Sequence, residues 1–84
     1  MPLFFLHVFN RTGCSRDEEG LDLPDLDAAR AEAVEGIRSI LRDEVARGTL
    51  DLEGRIEIAD EAGRIVDVVA FNDAIEVREE TEAR

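Results

Sequence analysis

A chain of 84 residues has room for one domain and one compact core. Asp and Glu outnumber basic residues 21 to 10, every basic residue is arginine, and the net charge is −11. That balance argues against nucleic acid or an anionic membrane as partner, because both call for cationic groups in excess. A basic protein surface is electrostatically compatible, although acidity also serves solubility.

The first predicted element is a strand, Leu3-Phe4-Phe5-Leu6-His7-Val8-Phe9, aromatic and β-branched in character and too short to span a membrane. Alternation places Phe4, Leu6 and Val8 on one side and Leu3, Phe5, His7 and Phe9 on the other. Asn10 to Gly13 is turn-like, and a second short strand returns between Cys14 and Leu23. Asp17-Glu18-Glu19-Gly20 interrupts it as a tight turn or bulge, with Gly20 free to adopt a positive φ.

A helix follows, from Leu26 to about Arg47, with Asp25 as N-cap and Gly48 just past its end. At 100° per residue, Leu26, Ala29, Ala33, Val34, Ile37, Ile40, Leu41 and Val45 form one stripe. Arg30 and Glu44 fall near the centre line of that stripe, so each must reach around its rim or pair elsewhere. Two further strands, Gly54 to Asp60 and Arg64 to Phe71, bracket Asp60-Glu61-Ala62-Gly63. That link fits a type I turn with Gly63 in the left-handed position. Ile75-Glu76-Val77 is expected to pair briefly with the sheet, and Arg78 to Arg84 to fray.

The predicted architecture is α+β: an antiparallel sheet of about four strands with one long helix on one face, in β-β-α-β-β order. Residues 1–77 form the single domain, and 78–84 a charged tail.

Chemistry-bearing residues are sparse. His7, the only histidine, reads as a packed strand residue whose ring nitrogen bonds a neighbour, since a general base also needs a nucleophile and an orienting group. Cys14, the only cysteine, sits in a polar loop as an incidental free thiol and fits a reducing, cytoplasmic setting. A Cys14–His7 pair is within reach of a hairpin, but nothing requires it. The acids Asp17, Glu18, Glu19, Asp22, Asp25 and Asp27 lack the spacing of an EF-hand loop. No phosphate loop or zinc spacing occurs. No catalytic residue, cofactor or metal ligand is therefore assigned.

One helix covers one face of a small antiparallel sheet, yet both faces here carry apolar residues. Leu3, Phe5, His7, Phe9, Ile65, Val69 and Phe71 are expected to form an uncovered face that needs a partner.

The Met1-Pro2-Leu3-Phe4-Phe5-Leu6-His7 start, the Asp17-Glu18-Glu19-Gly20 turn, Leu23-Pro24-Asp25-Leu26 and Ala28-Ala29-Arg30-Ala31-Glu32-Ala33 together resemble a family of short bacterial proteins. Gly54-Arg55-Ile56-Glu57-Ile58 and Asp60-Glu61-Ala62-Gly63-Arg64 fit the same pattern, so the likeness covers roughly residues 1–77. The family is a domain of unknown function abundant in alphaproteobacteria. Membership implies the strand–strand–helix–strand–strand layout and carries no activity, cofactor or site residue. A fainter likeness is to HicB-like antitoxins, which also run from an acid-Gly turn through Pro-Asp-Leu into an Ala-rich helix. Their Pro-Gly-Cys step and Gly-x-Thr-x-x-Glu-Ala helix start are absent here, so that analogy is one of fold.

The expected function is a non-enzymatic interaction or regulatory domain that self-associates through the uncovered sheet face. An antitoxin-like acidic partner masking a basic protein is the alternative. A small enzyme or ligand carrier using His7 comes third.

Overall fold

The computed structural model describes residues 2–78. Its strands are β1 (Leu3–Asn10), β2 (Gly13–Ser15), β3 (Leu21–Asp22), β4 (Gly54–Ala59) and β5 (Ile65–Ala70). One helix, α1 (Leu26–Ala46), stands between β3 and β4, and a 3-10 turn, Phe71–Asp73, follows β5. All pairings are antiparallel, in the order β2-β1-β4-β5 with β3 also on β1. The architecture is α+β as expected. The returning strand is split into β2 and β3, which makes five strands.

Local chemistry sets the ends of α1. Asp25 is its N-cap, and the side chain accepts the N–H of Ala28 at 2.9 Å. At the other end Gly48 takes φ +88°. There the N–H groups of Gly48 and Thr49 donate to the carbonyls of Val45 and Glu44, which closes the last turn.

The helix buries Ala29, Ala33, Ile37 and Leu41 against Phe4, Ile56, Ile58, Val69 and Phe71, with Leu6 and Val8 packed at the margin. Ala29 and Ala33, in the N-terminal half of the helix, are fully buried. Val45 lies on the predicted stripe but is exposed. The two charged residues on the stripe both find partners. Arg30 pairs with Asp67 of β5 at 2.7 Å, and Glu44 accepts the N–H of Asp51 at 3.1 Å. Arg30 is what holds the Asp67 carboxyl below the usual range, against a smaller opposing effect of burial.

Four of the seven residues expected on the uncovered face lie on β1, and the helix does take the other side, with Phe4, Leu6 and Val8. In β5 and the turn that follows it the expectation is corrected. Val69 and Phe71 are fully buried beneath the helix. Ile65 lies opposite Ala59 and Asp67 opposite Ile58, so Val66 is one residue too many for the ladder. The bulge reverses the alternation. Ile65 thus shares the face of Phe5 and Ala59, while Val69 shares that of Ile56.

Ile75 to Val77 forms no strand. Ile75 packs at the edge of the core, and Arg38 Nε donates to the carbonyl of Ala74 at 2.7 Å. The predicted tail lies outside the described residues from 79 onward.

Candidate functional site

β2 and β3 both pair with β1, but in different registers. Ser15 is opposite Val8 and Leu21 opposite Phe4, so residues 16–20 span only Phe5 to His7. Backbone groups in that gap lose their ladder partners, and Asp17 replaces them. Its carboxylate accepts the N–H of Leu6 at 3.2 Å, Glu19 at 3.1 Å and Gly20 at 3.0 Å. Its own N–H donates to Nδ1 of His7 at 3.0 Å. Burial alone raises the Asp17 carboxyl, but the three N–H donors outweigh it and hold the group below the usual range.

Gly20 closes the loop at φ +76°, where an added Cβ would stand 2.9 Å from the Phe5 ring. Only glycine fits without displacing that ring.

The loop therefore folds over part of the sheet face away from the helix, and His7 beneath it is 7% exposed. Its ring is bonded to a neighbour, as expected. Because Nδ1 accepts an N–H, the neutral ring carries its own proton on Nε2. His7 and Ala59 are thus largely covered within the chain, and what remains open of both lines the groove beside the loop.

Beside the loop lies an open groove of 310 Å³, lined by Phe5, His7, Arg16, Glu18, Asp60 and Glu61 among others. The Asp60 side chain is engaged in the β4–β5 turn, accepting the N–H groups of Ala62 and Arg64. Gly63 takes φ +85° there, as the predicted turn demands.

A larger hollow of 460 Å³ sits at the far end of the sheet, next to Phe9, Arg11, Cys14 and Arg55. Its cations are already matched. Arg11 pairs with Asp51 and Glu53, and Arg55 lies 4.3 Å from the Phe9 ring centroid while bonding Glu57 at 2.9 Å. Cys14 is exposed and pairs with Phe9 across the ladder, so it does not meet His7. Among the described residues, no group of three or more His, Cys, Asp and Glu is placed to hold a metal. No described helix is long and apolar enough to cross a membrane.

The rest of the uncovered face is read from the cross-strand register. Phe5 lies opposite Ala59, His7 opposite Glu57 and Phe9 opposite Arg55, and β5 adds Ile65, Val68 and Ala70. The middle strand thus carries the Arg55–Glu57 ion pair. Apolar exposure gathers on β5, where Ile65, Val66 and Val68 are 43%, 37% and 44% exposed. Val66 and Val68 are the residues that the unbulged alternation missed. The charged strip was readable in Arg55-Ile56-Glu57-Ile58, where polar and apolar residues alternate.

A family model described as Domain of unknown function (DUF6894) matches residues 3–72, most of the chain. The chain belongs to the DUF6894 family. No curated protein and no solved structure matches it. Two of the motifs that suggested a family, the start ending in His7 and the turn from Asp17 to Gly20, are the two halves of the loop fastening. In this DUF6894 chain they are one structural unit, joined by the Asp17–His7 bond.

Proposed function

We propose that this DUF6894 chain is a non-enzymatic protein-interaction domain that self-associates through the sheet face opposite the helix. The supporting observation is the exposed strip of Ile65, Val66 and Val68 on β5, a strand that among the described residues is paired on one side only. Burying branched aliphatic side chains is worth roughly 1.5–3 kcal/mol each when complete, enough for a few to drive association. Phe9 extends the strip across the sheet, and the Arg55–Glu57 pair beside it gives a partner polar groups to register against.

The His7 ring is engaged at Nδ1, which favours packing over general-base work for this residue. Sedimentation at rising protein concentration tests the reading. A reversible dimer or larger species is expected, and a clean monomer at high micromolar concentration would remove it.

A further inference from the structure

Among the described residues, nothing bonds Nε2 of His7, a residue that lines the groove. Among the described residues, every fully buried side-chain nitrogen and oxygen has a hydrogen-bond partner. To the described residues the His7 ring bonds through Nδ1 alone. Nε2, which carries the ring proton, must therefore meet the groove surface that His7 lines. A protonated Nε2 is a donor and cannot ligate a metal, so the ligand must offer an acceptor such as a carbonyl oxygen.

The surroundings narrow the ligand's charge. Asp17 is occupied by three backbone N–H groups, and Asp60 by two. Glu18 and Glu61 make no ion pair among the described residues, and Arg16 is the one cation in the lining. An anionic ligand would be repelled. A second copy of the chain, itself at −11, is a poor occupant for the same reason. Phe5 and Ala59 supply an apolar floor.

We propose that this groove binds a basic peptide segment of another protein. A backbone carbonyl accepts from His7 Nε2, and an arginine or lysine side chain lies against Glu18 and Glu61. The proposal goes beyond self-association, and it concerns the end of the sheet at the Asp60–Arg64 turn rather than the strip along β5.

The test is a ¹H–¹⁵N titration of the labelled full chain, repeated in a Val68→Asp background so that loss of self-association does not affect the outcome. The probes are a blocked pentapeptide with two arginines, its counterpart with two glutamates, and zinc ion. Only the basic peptide should produce saturable shifts at the His7 ring and at the amides of Glu18, Glu61 and Gly63. E18Q/E61Q should weaken its binding roughly three- to tenfold while the loop amides from Arg16 to Gly20 keep their dispersion. The proposal is overturned by absent saturation, by equal shifts at Glu32 and Glu35 on the helix, or by undiminished binding to E18Q/E61Q. Zinc ligation at the imidazole would also overturn it.

Discussion

Asp17 turns one carboxylate into an acceptor for three backbone N–H groups, so its loss should be felt beyond its own side chain. In Asp17→Asn the amide NH2 would face the Leu6 N–H or displace the Glu19 and Gly20 bonds. The expected cost at neutral pH is about 1–3 kcal/mol, read as a lower urea midpoint. Because the folded carboxyl is held below its unfolded value, its stabilisation is present above about pH 4 and is lost as pH falls through the folded value. Stability should therefore drop less steeply in acid for Asp17→Asn than for the native chain. His7→Phe keeps a flat aromatic ring, somewhat larger, but leaves the Asp17 N–H without its acceptor, at a similar cost of about 1–3 kcal/mol. Native stability in that variant would show that the Nδ1 bond contributes nothing. That His7 is a packed, bonded residue could be read from its strand position. Its partner could not, because five residues bridging three is a register that no local pattern in Arg16 to Gly20 announces.

At the scale of elements, the cap, stripe and turn of the long helix and the last hairpin were legible because each rests on near neighbours. Asp25 binds a backbone group three residues away, and Gly63 serves its own turn. Asp25→Ala should cost about 1 kcal/mol, measurable by thermal melting. The phase of β5 was not legible. A single extra residue, Val66, moves Ile65 and Val69 to opposite faces, and a bulge leaves little trace in a run as uniformly apolar as Ile65 to Ala70. Neighbouring substitutions check this directly. Val69→Asp puts a charge beneath the helix and should cost at least about 3 kcal/mol. Val68→Asp, on the outer face, should leave stability within about 0.5 kcal/mol. Equal damage from both would contradict the bulged register.

For the whole molecule, the acidity and the apolar strip oppose each other in assembly. Two copies at −11 repel, whereas burial of Ile65, Val66 and Val68 attracts. Salt screens the first effect over about 8–10 Å and leaves the second largely intact. Self-association should therefore strengthen as ionic strength rises, the reverse of contacts held by ion pairs. Sedimentation equilibrium of the native chain and Val68→Asp, at low and high salt, is the most direct measurement. The uncovered β5 strip predicts a dimer or larger species that tightens with salt in the native chain and a monomer throughout in the variant. A native chain that stays monomeric at high micromolar concentration in both salts, or a variant that assembles equally well, would contradict it.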